Sequence, residues 1–307
     1  MRIAVMAAGA VGGYFGARLA AAGHEVFFIA RGAQLDAMRK SGLSIDSVHG
    51  NLHLPQPHVT DDPAAVGPVD IVLFTVKLWD TEATAEQARP LVGPATRIVT
   101  LQNGVDSYER IAPILGAEHT IPGVTYVVSV IERPGVIKQT SQFQSIVCGT
   151  IDGRPDPQLA AFVAAAKAAG INITQSDNIQ RDRWHKFIFL SATSGATSLT
   201  RMTMGPILAD PDTRNLFRNI MRETLAVGRA SGVALDESYI DERMVFADKH
   251  TPASMKASMA NDLDRGNRLE LDWLAGRVSQ LGKALNVPTP VNDVIYAALK
   301  HFRNGRN

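Results

Sequence analysis

The chain has 307 residues, 45% of them apolar, and its 31 basic and 30 acidic side chains leave a formal net charge of +1. That length accommodates two domains with separate cores, and near-neutrality excludes a broad basic field of the kind that gathers nucleic acid or anionic lipid. The one cysteine, Cys148, excludes an internal disulfide framework and fits a reducing, cytoplasmic setting, while the longest apolar runs, such as Ile71-Val-Leu-Phe-Thr-Val76, are too short to span a bilayer.

Residues 2–6 read as a short buried strand through Ile3 and Val5, followed by a tight turn at Gly9, a helix over 11–22 with Gly12 and Gly16, and a second strand over 25–29 that ends on Ala30-Arg31. Such an order builds a dinucleotide site: glycines let the backbone approach a pyrophosphate, and the helix start, through Gly9, Ala10, Val11 and Gly12, offers N–H groups and a positive dipole end. The four glycines between 9 and 16 and the interruption at Arg18 argue against a secretory signal. A carboxylate at the end of the second strand would hold the ribose 2′-hydroxyl of NAD. Arg31 in that place predicts a 2′-phosphate, hence NADPH/NADP+.

Further strands are expected at 71–76, 97–101 and 121–130, with helical stretches such as 80–91 between several of them. This is the alternation of a parallel, doubly wound α/β sheet, and segments around 136–149 and 171–175 add further strands. From Arg183 on, the periodicity is helical, over 183–199, 211–231, 236–248, 254–260, 264–285 and 290–303, with Gly232 and Pro288 as breaks. The chain therefore reads as a Rossmann-type α/β dinucleotide-binding domain over 1–178 and an all-helical domain over 179–307. The helices at 211–231 and 264–285 carry apolar faces that suit either burial within the domain or a homodimer.

Several side chains stand where chemistry is expected. Lys77 closes the third buried strand at its carboxyl end and can reach the adenosine phosphate together with Arg31; its plainer reading is a solvated loop lysine. Asn103 sits on the Asn103-Gly104 turn after the strand 97–101, at the same sheet edge. Lys186 lies among Trp184, Phe187, Ile188, Phe189 and Leu190, and a lysine on so buried a helix needs a cleft, a partner or a lowered pKa. Leu190 and Ser194, at i+4 and i+8, share its face. His185 is a rival acid/base, one residue around the helix. Glu270 heads an amphipathic stretch with Leu271, Leu274 and Val278, where an acidic residue is ordinarily a dipole complement. Cys148, between Val147 and Gly149, reads as a strand core residue. The histidines at 49, 53 and 58 lack a compact metal spacing, so no metal site is expected.

Together, Gly9-Ala-Val-Gly12-Gly-Tyr-Phe-Gly16, Arg31, Val76-Lys77, Asn103-Gly104, Trp184-His-Lys186, and Ser258-Met259 with Asp262 and Glu270 resemble the ketopantoate reductase family over the whole chain. The resemblance implies a Rossmann domain that binds NADPH and a helical domain that takes a small-molecule 2-oxo acid. It implies that Lys186 protonates the ketone oxygen and that Glu270 hydrogen-bonds substrate and lysine. By the same resemblance Ser258 and Ser194 contact the substrate's polar groups, and Asn103 positions cofactor and substrate. The chain departs from the family where Leu190 and Ser194 replace two asparagines, which leaves open a paralogue acting on another 2-oxo acid. A 3-hydroxyacid dehydrogenase and a non-catalytic NADPH sensor are the remaining alternatives; the Ser258-to-Glu270 pattern disfavours the first, and the pairing of Lys186 with Glu270 the second.

Overall fold

Alternation in a single strand sets up the layers of the N-terminal unit. In β1 (Arg2–Met6), Ile3 and Val5 enter one core and Ala4 and Met6 another, and all four are buried. In the strand Ile71–Phe74 the same happens with Ile71 and Leu73 against Val72 and Phe74, so the central strands are apolar on both faces, as a sheet covered on both sides requires.

The computed structural model describes residues 1–306 and falls into two units, Met1–Ile179 and a second beginning at Gln180. The first runs β1, α1 (Ala10–Ala21), β2 (Glu25–Ile29), α2 (Gly32–Ser41), β3 (Leu43–Ser47), β4 (Leu52–Leu54), β5 (His58–Thr60), β6 (Ile71–Phe74), α3 (Thr81–Ala88), β7 (Arg97–Thr100), α4 (Ser107–Leu115), β8 (Thr120–Arg133), β9 (Val136–Cys148), α5 (Pro157–Ala168) and β10 (Asn172–Gln175). Its strands form one sheet in the order β4-β3-β9-β8-β7-β6-β1-β2-β5, with β10 also on β9. From β5 to β8 every pairing is parallel. Over the runs 2–6, 25–29, 71–76, 97–101 and 121–130 the sheet is parallel as expected; beyond them β8 and β9 pair antiparallel, as do β3 and β4, so the whole sheet is mixed. The cause is local. Pro134-Gly135, with Gly135 at φ +79°, turns the chain straight back after Arg133 instead of sending it through a crossover helix.

Tyr14, Phe15 and Leu19 of α1 and Leu159, Phe162 and Ala166 of α5 cover one face, and Ala85, Ala88, Ile111 and Leu115 of α3 and α4 cover the other. The carboxyl ends of β2, β1 and β6 therefore open between helix starts, where ligands bind in such sheets.

Among the described residues the second unit holds helices and no strand. The remainder of α6 (Ile179–Thr200) is followed by α7 (Met204–Ala209), α8 (Pro211–Ala230), α9 (Ser238–His250), α10 (Ser258–Arg265), α11 (Ala275–Leu285) and α12 (Pro290–Leu299). α8 buries Phe217, Ile220, Met221, Thr224, Leu225 and Gly228 at helical spacing. Small residues allow close crossings: a Cβ on Gly195 of α6 would lie 2.9 Å from Ile295, and one on Gly228 of α8 2.7 Å from Trp184. The start of α12 is capped from outside, where Glu223 accepts the backbone N–H groups of Val291 (2.8 Å) and Asn292 (2.9 Å).

Two helix expectations need correction. The helix expected over 254–260 begins at Ser258 and runs to Arg265, where Gly266 in the left-handed region (φ +73°) ends it and the Asn267 N–H returns to the Asp262 carbonyl. The helix expected over 264–285 is a turn, a short 3-10 segment Leu271–Trp273, and α11 from Ala275. No helix among the described residues is long and apolar enough to cross a membrane.

Candidate active site

In the N-terminal unit, β1 delivers the chain to Ala7, Ala8 and Gly9. The Ala8 N–H donates to the Ile29 carbonyl (2.8 Å) and the Gly9 N–H to the Ala7 carbonyl (2.8 Å), which fixes the turn. The first intrahelical bond of α1 runs from the Gly13 N–H to Gly9, so Ala10, Val11 and Gly12 present first-turn N–H groups. A Cβ at Gly9 would meet nothing within 4 Å, and this is the side on which a pyrophosphate can approach.

Gly12 also has a packing purpose beside the first-turn N–H it presents. A Cβ there would collide with the Thr75 hydroxyl, the Ala7 carbonyl and Val5 (2.7 Å), so Gly12 allows α1 to sit close on β1 and β6. Gly16 does the same against Phe28 (2.7 Å) and Val5 (2.8 Å). Thr75 completes the contact by donating its hydroxyl to the Ala7 carbonyl at 2.8 Å. The turn, the helix start and the end of β6 are thereby tied into one rigid edge.

Arg31 follows β2 and is exposed at this edge, donating Nη2 to Oε1 of Gln87 on α3. Lys77, directly after β6, is exposed with its ammonium 5.5 Å from the centroid of the Trp79 ring. Asn103 lies part-buried in the loop after β7. Its neighbour Gln102, which the sequence did not single out, is buried and donates to the Val76 carbonyl (3.1 Å) and the Thr81 hydroxyl (2.9 Å), stapling this loop to the one that carries Lys77. These residues fit a dinucleotide: free helix-start N–H groups, an open glycine face and a guanidinium at the end of β2 are the donors a pyrophosphate and a ribose phosphate need.

In the helical unit, Lys186 is part-buried on α6. Burial pushes its ammonium down to about 8, against the opposing pull of the Glu270 carboxylate. Glu270, 6% exposed, stands just before the 3-10 turn Leu271–Trp273 and not at the head of a continuous helix. The fold thus sets side chains 84 positions apart within electrostatic reach of one another. His185 is displaced from Lys186, stacked flat on Tyr239 of α9 (3.9 Å between centroids), whose hydroxyl donates to the His185 carbonyl at 2.8 Å. Its imidazole is lowered by burial first, with nearby charges on Asp182, Arg181, Arg243 and Glu242 adding smaller effects of both signs.

Leu190 is part-buried one turn beyond Lys186. Ser194 is fully buried, and its hydroxyl, like those of Ser191 and Ser198, makes no hydrogen bond among the described residues. Ser258 is exposed at the first position of α10. Just before it, the Ala257 N–H reaches Thr197 Oγ1 at 3.4 Å, and Thr197 lies eleven residues after Lys186, about three turns along the same face of α6. Cys148 is completely buried on β9, its thiol pushed up to about 12 by desolvation, which makes it a core residue and no nucleophile.

Comparison with known proteins agrees with both halves. Residues 3–153 match the family described as Ketopantoate reductase PanE/ApbA, and residues 178–303 match Ketopantoate reductase PanE/ApbA C terminal. Among curated relatives, a 2-dehydropantoate 2-reductase of Caulobacter vibrioides is 30% identical over 97% of each chain, and an uncharacterized oxidoreductase, YkpB, of Bacillus subtilis is 29% identical over 98% of this chain and 99% of its own. A crystal structure of a PanE/ApbA family ketopantoate reductase from Ralstonia eutropha superposes with a TM-score of 0.90 at 31% identity, covering 99% of this chain and 98% of that one. With both domains matched and the fold shared along its length, the chain belongs to the ketopantoate reductase family, NADPH-using oxidoreductases that act on CH–OH groups.

Proposed function

We propose that this protein reduces ketopantoate (2-dehydropantoate) to (R)-pantoate with NADPH, a step toward pantothenate and coenzyme A, in the cytoplasm. The observation that carries the reading is the pairing of Lys186 with Glu270 on a buried stretch of α6. When bound, the nicotinamide supplies a hydride to the 2-oxo carbon. Lys186 Nζ, charged near neutral pH, stabilises the negative charge that develops on the ketone oxygen and gives that oxygen its proton. Glu270 keeps the lysine protonated and poised, and accepts a hydrogen bond from the substrate. Ser258 and Ser194 hold the polar end of the substrate, and Asn103 orients substrate and cofactor together. Gly9, Ala10, Val11 and Gly12 form the pyrophosphate turn, with Arg31 and Lys77 toward the adenosine phosphate.

Leu190 favours a second reading, a reductase of a more apolar 2-oxo acid. It stands one turn from Lys186 on the same face, where a leucine cannot pair with a substrate hydroxyl. The test is NADPH oxidation by the purified protein with ketopantoate beside a panel of 2-oxo acids at one concentration. Ketopantoate ahead of the panel by orders of magnitude supports the first reading; a faster apolar 2-oxo acid replaces it with the second. Absence of turnover with every 2-oxo acid rejects both.

A further inference from the structure

A cavity of about 570 Å³ opens beside the carboxyl ends of β2 and β5, lined by Arg31, Asp61, Asp62, Glu86 and Gln87 among others. Its charges are unevenly engaged. Asp61 pairs with Arg39 at 3.5 Å and Glu86 with Arg89 at 2.5 Å, while Asp62 caps the following 3-10 turn by accepting the Ala64 N–H at 2.9 Å. Arg31 alone of these cations forms no ion pair among the described residues; its partner is the neutral amide of Gln87.

A guanidinium beside three carboxylates would ordinarily be drawn to one of them, and its charge would then be cancelled at short range. An amide oxygen restrains the side chain without neutralising it, and so leaves a full positive charge to pair with a dianion. Gln87 also keeps its own Nε2 available as a donor at the same mouth.

We infer that Gln87 is the positioning residue that sets the chain's preference for a 2′-phosphorylated dinucleotide: it holds Arg31 as an unneutralised cation in an otherwise acidic pocket. The inference rests on the reading of Arg31 as the 2′-phosphate ligand. Gln87 is exposed on α3, so its replacement leaves the core untouched.

The experiment is isothermal titration of the full-length protein with 2′,5′-ADP and with ADP, for wild type, Arg31→Ala, Gln87→Glu and Gln87→Met. Gln87→Glu keeps the shape and pairs with Arg31 as a carboxylate, and is expected to lower the 2′,5′-ADP to ADP affinity ratio by about tenfold or more, the worth of one charge-assisted contact. Gln87→Met removes the restraint without adding charge and should lower the ratio by roughly three- to tenfold. If Arg31→Ala collapses the ratio while both Gln87 variants keep it within twofold, the inference is overturned and the role of Arg31 stands. If Arg31→Ala itself leaves the ratio unchanged, the 2′-phosphate reading fails and takes the inference with it.

Discussion

At the scale of single residues, Lys186 combines two demands that pull against each other. Burial lowers its pKa toward 8, which makes it a better proton donor near neutrality, while Glu270 keeps it charged there. The general-acid reading therefore predicts a kcat for reduction that is flat below pH 8 and falls tenfold per pH unit above it, read from a steady-state pH profile. A profile flat to pH 10 would exclude Lys186 as the donor. Lys186→Ala should cost about 10²–10⁴ in kcat, with NADPH affinity nearly unchanged. The sign for stability is opposite to that of an ordinary ion pair. Because the folded pKa lies below the unfolded one, the folded protein binds fewer protons between about pH 8 and 10.5, and burying the charge costs stability that is recovered as pH rises through that window. Lys186→Met, which has no proton to lose, should abolish the rise in stability that the wild type shows between about pH 8 and 10.5 in urea titrations. For Leu190, the expected result of Leu190→Asn is a rise, of about tenfold, in activity on ketopantoate relative to its deoxy analogue 2-oxo-3,3-dimethylbutanoate; an unaltered ratio would mean that this position does not read the substrate hydroxyl.

At the scale of elements, β1, α1 and β2 were legible because strong signals coincide there: a buried run, glycines at a helix start and a second apolar run. What the motif could not tell was which glycine faces the ligand and which the protein interior. Gly12 belongs to the interior, and Gly12→Ala should cost about 1–3 kcal/mol in chemical denaturation, since the new methyl meets the Ala7 carbonyl and Val5. Other elements left little trace. α2 buries only Leu35 and Met38, while β4 and β5 are three residues each, below the length at which alternation can be recognised. The periodic Leu271, Leu274 and Val278 suggested one helix, but the backbone breaks at Leu274 (φ −107°, ψ −104°), a change of path that spacing alone does not disclose. Gln87 was invisible for a different reason: a polar residue on the outer face of a helix has no pattern to stand out from, and only the fold shows that it meets Arg31.

At the scale of the whole molecule, the residues proposed for the nucleotide, Gly9 to Gly12, Arg31, Lys77 and Asn103, follow β1, β2, β6 and β7 in the first unit, and those proposed for the reacting end, Lys186, Ser194, Ser258 and Glu270, come from α6, α10 and the turn before Leu271 in the second. Each group gathers inside one unit. Hydrogen exchange with 2′,5′-ADP, which lacks the nicotinamide, is expected to protect the Ala7–Gly12 turn and the segments after Ile29 and Phe74, and to leave α8 and α12 at their free rates. Protection spread evenly over both units would contradict this division. The pairing of β9 with β3 through residues 136–139 and with β10 through 145–148 could not be read from the sequence, because it depends on which strands the tertiary fold brings alongside. The change from mixed α/β to helices near residue 179 was plain in the periodicity.

The face of α6 that carries Lys186 also carries Thr197, the residue that receives the Ala257 N–H and so seats the start of α10. Amine and seat hang on one unbroken rod, and a rod measures by counting: one inserted residue turns everything beyond it by about 100° and shifts it about 1.5 Å. Between positions 186 and 197 a substitution leaves that measure unchanged, whereas one residue gained or lost resets where α10 is seated relative to the amine.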